Sequence, residues 1–353
     1  MGPMEHPGVQ RNLIMTMGRL NAKSLNTHPE LIAAGPKGLI DPTYFQATAE
    51  YRQRVGQMLD ATLRMACSLK SYRLASTILD TIVMFKIGLM KPDSEEALKW
   101  FNDLMVKQYG PTGVPKLVIE EKFLGVPTFE PDKEAGKEKS EAEKKEAEKN
   151  KIVKQIMQTK QVTTTDEKMA FEMKITRQHA ESFTKEKLAM CQRQNVPPQI
   201  AMQSYREAWF ILVRATKIND NGTPDTDWDG ALGDAQTGFA NHMEWLKVKS
   251  DSLYKMLEPE TVESFEQGFG SKELYIKNKI VIGWPFVISN VAQKTGKVKI
   301  HLPPPVEPGR YEFHVTIKSQ DFIGVGEDFS LVVDVAEGEE KKQPEDTENK
   351  KDK

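Results

Sequence analysis

The spacing of apolar residues changes from a helical to a strand period across one charged segment, and this change constrains the fold more than any other feature. Residues 11–125 carry a period near 3.6, whereas apolar and polar residues alternate after the segment. The segment itself, residues 131–151, is dominated by Lys and Glu and has no large apolar residue to bury. We therefore predict an α+β protein whose halves are separated by a charged linker at 126–165.

The N-terminal half, residues 1–125, is predicted to be a helical bundle. One helix spans residues 50–72, with an inward face formed by Val55, Met58, Leu59, Leu63, Ala66 and Leu69. A second helix follows, with Leu74, Ile78, Ile82, Phe85 and Leu89 on its buried side, and it is expected to end at Pro92 and Asp93. A third begins at Ser94. Helices joined by such short loops indicate a bundle.

The C-terminal half, residues 166–336, is predicted to be an immunoglobulin or fibronectin type III-like β-sandwich. The candidate strands are 170–177, 208–215, 279–288, 297–302, 311–318 and 329–335. Turn residues such as Thr295-Gly296 and Pro308-Gly309 separate several of them. We expect the strand at 171–175 to lie in the same sandwich as 297–302 and 311–318.

Two insertions are predicted within the sandwich, at 178–204 and 218–275. The second carries a helical pattern formed by Met243, Leu246, Leu253 and Leu257. Residues 337–353 mix Lys with Glu and Asp and are predicted to be a disordered, charged tail.

Composition excludes several classes of function. The formal net charge of -2 disfavours nucleic-acid binding, which normally requires a basic surplus. The only two cysteines, Cys67 and Cys191, are far apart, which favours a reducing compartment. Leu74 to Met90 is the most apolar stretch, but Asp80 and Lys86 interrupt it, and no signal peptide is apparent. We therefore expect membrane association only through partners.

One segment matches the start of a calcium-binding loop. Asp225, Asp227 and Asp229 alternate before Gly230, as oxygen ligands do in such loops. However, Gln236 occupies the position where a bidentate Glu would complete the shell, so we favour an acidic surface loop. The sequon at Asn221 is interpreted as an Asn-Gly turn.

No catalytic motif is visible. The six histidines form no HxH or HExxH pair, and the sequence contains no Walker loop, GxGxxG or GxSxG. We therefore expect a non-enzymatic protein with no catalytic residues, no cofactor and no metal.

Several segments resemble the Sec sixty-three family, the endoplasmic-reticulum translocation subunit that carries a J domain. Residues 308–315 (PGRYEFHV) are similar to its PGxYxxxV strand, and Ser319 to Gly324 (SQDFIG) to the Ser, aromatic and Gly that follow it. The preceding KVKIHLPPP is similar to its penultimate strand and proline-rich turn. Residues 171–178 resemble its first sandwich strand, and 208–215 its tryptophan-rich middle strand. The J-domain motif His-Pro-Asp is not matched, since the chain has only His6-Pro7-Gly8 and His28-Pro29-Glu30.

The resemblance implies a structural subunit of the Sec-type post-translational translocation complex, on the cytosolic face of the endoplasmic reticulum. Its implied partners are the Sec channel and associated Sec subunits, with no nucleic acid. The same unit also occurs in large RNA helicases of the spliceosome. The alternative is therefore a cassette that acts as an adaptor in an RNA helicase or ribonucleoprotein assembly.

The candidate partner-binding residues are Ser319, Asp321, Phe322 and Gly324, in the turn after the strand at 311–318. Loops at the ends of sandwiches commonly carry binding residues, so Phe322 is a candidate interface anchor. The alternative is that the Phe322 ring folds back and plugs the open end of the sandwich.

Overall fold

The computed structural model describes residues 15–16, 19–20, 42–88, 90, 95, 99, 103, 106, 115–126, 162–199, 205–244 and 271–338. These residues contain both helices and sheets, which confirms the predicted α+β class. The helices with fully described bounds are α1 (Pro42–Ser68), α2 (Tyr72–Ile87), α3 (Ala180–Gln194) and α4 (Lys272–Asn278), with a 3₁₀ turn at Ala235–Thr237. The strands are β1 (Leu117–Gly125), β2 (Val162–Thr163), β3 (Met169–Arg177), β4 (Glu207–Ile218), β5 (Ile282–Ile288), β6 (Thr295–Leu302), β7 (Gly309–Ser319) and β8 (Gly326–Ala336).

Helices α1 and α2 form a hairpin joined by a tight turn. The Ser71 hydroxyl caps α2 by accepting a hydrogen bond from the backbone of Leu74. Helix α2 ends earlier than predicted, at Ile87 rather than at Pro92, because Gly88 adopts a left-handed conformation (φ 76°) that terminates helices. The described residues of the third predicted helix, 95, 99, 103 and 106, are helical, and the bundle as a whole remains a prediction.

The first sheet has three antiparallel strands in the order β1-β3-β6. The prediction that residues up to 125 are helical is wrong for 117–125, which pair as β1 with β3, with one irregularity between Ile119 and Glu121. The Lys and Glu residues of β1 concealed its strand character. The boundary of the predicted helical half therefore lies before β1. Strand β2 likewise falls within the predicted linker, most of which lies outside the described residues.

The second sheet has five strands in the order β2-β8-β7-β4-β5. Strand β4 lies between β7 and β5 and pairs antiparallel with both. Its first seven residues are all buried, because both of its faces are covered. The candidate strand at 279–288 begins later than predicted, at Ile282.

The two sheets share one core, in which Phe171 and Ile300 of the first sheet pack with residues such as Trp209 and Phe313 of the second. Residues 171–175 pair directly with β6, and β7 contributes to the same core, as predicted. The two-sheet arrangement is thus observed, whereas its assignment to the immunoglobulin-like class remains a prediction.

The α1–α2 hairpin covers the outer face of the five-stranded sheet. Leu63 and Leu79 pack there against Phe210 and Leu212 of β4. The predicted inward positions of three residues are wrong: Met58 is 68%, Leu69 37% and Leu74 39% exposed. Periodicity identifies an apolar stripe, but only the part that faces a neighbouring element is buried.

Helix α3 occupies the first predicted insertion. The second contains the 3₁₀ turn and the first residues of α4. Within its predicted helical pattern, Met243 is helical, while Leu246, Leu253 and Leu257 lie outside the described residues. The tail beyond residue 338 also lies outside them.

Candidate functional site

The four predicted partner-binding residues lie together at the end of β7, where Ser319 is the last residue of the strand, and in the loop that joins β7 to β8. The buried Ser319 hydroxyl accepts hydrogen bonds from the backbone of Asp321 (3.1 Å) and Phe322 (3.0 Å). The Ser319 amide donates to the carbonyl of Val325 at 2.9 Å. Gly324 is exposed, with a φ of 70° that favours glycine. The loop therefore has a defined conformation set by its own hydrogen bonds.

Asp321 connects this loop to strand β4 and to helix α2. One carboxylate oxygen accepts a hydrogen bond from the backbone of Ala208 in β4 at 2.6 Å. The other lies 2.8 Å from the Lys86 ammonium on α2. A second ion pair across the same boundary joins Lys318 to Asp80, also at 2.8 Å. The carboxylate of Asp321 is therefore engaged in intramolecular contacts.

A cavity of about 340 Å³ opens between α2 and the β7–β8 loop. Helix α2 contributes Tyr72, Ser76, Asp80 and Val83 to its lining, and the loop contributes Ser319, Phe322 and Gly324. The wall is mixed in polarity, with hydroxyls and an ion pair beside an aromatic ring. Such a lining suits a polar or charged side chain of a partner better than a purely apolar ligand.

Phe322 is half-buried, with its ring edge-on to that of Phe183 in α3 at a centroid distance of 6.0 Å. This geometry supports the interpretation that the ring folds back onto the protein. Part of the side chain nevertheless stays accessible at the mouth of the cavity. The two interpretations of Phe322 are therefore compatible.

A second polar constellation, missed from the sequence, is completely buried. Arg177, His179 and Glu207 are each 2% exposed or less. Arg177 donates to both carboxylate oxygens of Glu207, at 2.5 and 3.3 Å, and to the carbonyls of Val291 and Gln293. The Glu207 carboxylate also accepts from Trp209 Nε1 at 2.9 Å.

His179 and Tyr205 complete the shell of Glu207. His179 Nε2 donates to both carboxylate oxygens, at 3.2 and 3.1 Å, while its Nδ1 accepts from the Lys116 amide at 3.1 Å. The Tyr205 hydroxyl also donates to Glu207. Burial opposes ionisation of Glu207, but the hydrogen bonds from His179, Arg177 and Tyr205 outweigh it and lower its pKa to about 2. Burial and the nearby carboxylate raise the pKa of Tyr205.

This buried cluster closes the first insertion at its base. Arg177 and His179 precede α3 in the sequence, whereas Tyr205 and Glu207 follow it. A His–carboxylate pair also occurs in catalytic sites, but here neither group is accessible to a substrate. The cluster is therefore structural: it fixes the point where the insertion leaves and re-enters the sandwich.

The acidic loop uses its oxygens internally. Asp225 accepts from the amide of Asp227, and Asp229 accepts from that of Ala231, both at 2.9 Å. Trp228, between them, is buried edge-on against Tyr311. Across the described ranges, no group of three or more His, Cys, Asp or Glu side chains is placed to hold a metal ion.

The predicted Asn-Gly turn is observed. Gly222 adopts a φ of 80°, and the Asn221 side chain accepts hydrogen bonds from the amide and hydroxyl of Thr223. Within the part of the chain that the structure describes, no helix has both the length and the apolar character needed to cross a membrane.

The sequence carries partial signals for the buried cluster. Arg177 ends a strand of alternating residues, and Glu207 begins a continuous apolar one. A charged residue at such a position needs a partner if it is buried. Arg177 and Glu207 are therefore candidates for pairing with each other. The partners lie 30 residues apart, so local patterns do not identify them.

Comparison with known proteins adds no identification: no protein-family model matches the sequence, and no curated protein matches it.

Proposed function

We propose that the chain is a non-enzymatic structural subunit of the Sec-type post-translational translocation complex and binds the cytosolic side of the channel at the endoplasmic reticulum. The proposal combines the sequence resemblance with one structural observation. The β7–β8 loop, where the family-like residues lie, is held in place by hydrogen bonds and by the ion pair to α2.

A fixed loop is suited to recognition, because its conformational entropy has been lost before the partner arrives. Phe322 and Gly324 border a cavity that a side chain of the partner can enter. In this proposal the channel's cytosolic loops and the associated Sec subunits are the partners. Membrane association then follows from them, and nucleic acid is not bound.

The absence of an enzymatic role is part of the proposal and has its own support. The buried pair of His179 and Glu207 is inaccessible and fully engaged in hydrogen bonds, and the partly exposed pair of His314 Nε2 and Glu312 is separated by 3.7 Å, beyond hydrogen-bond distance. The cavity beside α2 is lined by the carboxylates of Asp80 and Asp328, and Asp80 is engaged in an ion pair with Lys318 at 2.8 Å.

The test is affinity purification of the full chain from detergent-solubilised membranes. Recovery with the Sec channel supports the proposal, whereas recovery with small nuclear ribonucleoproteins supports the alternative adaptor function. Phe322→Ala should reduce recovery of the channel, while Val332→Ala, on an exposed position of β8 outside the loop, should not.

Stability measurements separate a binding defect from a folding defect. Because Phe322 is only half-buried, its truncation should cost less than the roughly 3–5 kcal/mol of a fully buried Phe. Unchanged recovery by a folded Phe322→Ala variant would move the partner surface away from this loop.

A further inference from the structure

The outer face of α1 combines exposed apolar residues with a local excess of positive charge. Met58 is 68% and Met65 60% exposed, and Leu69 continues the same stripe one turn later. These positions follow helical spacing, at i, i+7 and i+11, so they lie on one side of α1. The opposite side carries Leu63 and Ala66, which pack toward the five-stranded sheet.

The charged residues around this stripe are mostly basic. From residue 54 to residue 74 the charged side chains are Arg54, Asp60, Arg64, Lys70 and Arg73, which gives four cations against one carboxylate. All five are exposed. The chain as a whole has a net charge of -2, so this positive region is local.

A further exposed leucine lies just after the hairpin turn. Leu74, 39% exposed, follows Arg73 in the first turn of α2. The turn is held against the end of α4, where the Asn278 side chain accepts from the Arg73 amide at 2.6 Å. The exposed leucines and cations of the turn are therefore presented from a fixed backbone.

We propose that this face, defined by Arg54, Met58, Arg64, Met65, Leu69, Lys70, Arg73 and Leu74, contacts the surface of an anionic lipid bilayer. Apolar residues at headgroup depth and flanking cations are what interfacial helices use to bind such membranes. Long Arg and Lys side chains can extend toward lipid phosphates while the apolar groups enter the interface.

A bilayer fits this face better than a protein groove would. The face lies on the side of α1 opposite Leu63 and Ala66, which pack toward the sheet, and flexible methionine side chains adapt to irregular surfaces. The sequence predicts membrane association only through partners, and the α1 face adds a direct contact. It does not depend on the proposed binding of the channel, which uses the β7–β8 loop.

The test is flotation of the full chain with phosphatidylcholine vesicles that contain or lack phosphatidylserine. We expect binding only to the vesicles with phosphatidylserine, weakening as salt screens the charges. Arg54→Gln/Arg64→Gln should reduce partitioning by roughly fivefold for each cation removed. Met58→Ser/Met65→Ser should reduce it at unchanged charge.

Matched controls decide whether the effect is local. Lys294→Gln/Lys297→Gln removes the same charge from exposed positions of the sandwich, and Val287→Ser/Val332→Ser removes exposed apolar groups there. Both should leave partitioning unchanged. The inference is overturned if anionic vesicles do not bind, if the controls weaken binding as much as the α1 variants, or if the face binds only an acidic helical peptide. Recovery of the Sec channel by affinity purification is a separate measurement, and it can fail or succeed whatever the outcome of the vesicle flotation.

Discussion

Arg177 and Glu207 form a bidentate ion pair in the protein interior, and each is at most 2% exposed. The pair joins the end of β3 to the start of β4, which belong to different sheets. It therefore fixes both the spacing of the two sheets and the base of the insertion that carries α3. The other donors to Glu207, from His179, Tyr205 and Trp209, satisfy the remaining acceptor sites of the carboxylate.

Glu207→Gln should destabilise the protein strongly. Removing one partner of a buried ion pair leaves an uncompensated charge, here the Arg177 guanidinium, at a cost of roughly 3–5 kcal/mol. The free energy of unfolding from denaturant titration measures this loss. Lys297→Gln breaks the exposed pair with Glu172 and should cost under about 1 kcal/mol. Equal losses in the two variants would contradict the structural role of the cluster.

The same cluster predicts acid sensitivity. The pKa of Glu207 is about 2 in the folded protein and 4.5 for an ordinary Glu, so the unfolded chain takes up its proton first as the pH falls. The stabilisation is fully present above about pH 4.5 and is lost as the pH falls toward 2, by up to about 3 kcal/mol. Unfolding free energies between pH 6 and about 2.5 measure the slope. In Glu207→Gln this component of the slope should disappear, and an identical slope in both proteins would refute the assignment.

Part of this architecture was predictable from sequence, because the residues within some strands are enough to identify them. Strand β3 alternates apolar and polar residues, and β7 begins at Pro308-Gly309, so both are recognisable without knowledge of their neighbours. Strand β1 was missed because its Glu and Lys residues obscure the alternation, and pairing with β3 determines its structure.

In the candidate sites, too, some features follow from local sequence and others depend on tertiary contacts. The position of Phe322 and Gly324 in a turn follows from the residues beside them. Burial of Glu207 depends on contacts with Arg177 and His179 that no short pattern encodes. The exposure of Met58 depends equally on tertiary structure, since the buried residues of α1, Leu63 and Ala66, are the ones that pack toward the sheet.

Because of Lys279, the free energy of unfolding should increase as the pH rises into the alkaline range. Its ammonium is buried and donates to the carbonyls of Gly230 (2.7 Å) and Thr237 (2.6 Å). Burial lowers its pKa to about 8, whereas the unfolded chain holds this proton up to 10.5. Between these values the unfolded state binds more protons, so folding is favoured as pH rises from 8 to 10.5, by up to about 3 kcal/mol. Lys279→Met should lack this component. Thermal unfolding across that range measures it, and parallel curves for the two proteins would rule it out.

Asp321 and Lys86 should contribute unequally, although they form one ion pair. Lys86→Ala removes a half-exposed charge and should cost under about 1 kcal/mol. Asp321→Ala also deprives the buried amide of Ala208 of its acceptor, which should cost roughly 1–3 kcal/mol. Chemical denaturation of both variants compares the two effects. If Asp321→Ala is no more destabilising than Lys86→Ala, the hydrogen bond to β4 does not hold the loop.

The fragment 279–336 should not fold by itself, although it contains four strands that are contiguous in sequence. In the five-stranded sheet β4 lies between β5 and β7, and in the other sheet β6 pairs with β3. The fragment lacks both β3 and β4, so β5 and β6 lose the strands with which they pair. The inward side chains of β7, including Tyr311, Phe313 and Val315, would be poorly covered, because β6 alone remains of the opposing sheet. Exposed strand edges and uncovered apolar faces promote aggregation.

The fragment 42–338 retains every described strand and the α1–α2 hairpin, so it is the matched control. We expect it to elute as a discrete species in size-exclusion chromatography and to melt cooperatively, whereas 279–336 should elute as aggregate without a cooperative transition. A monomeric, cooperatively melting 279–336 would show that β5–β8 form a stable unit without β3 and β4. The long-range pairing of β3 with β6 would then be a consequence of folding rather than a requirement for it.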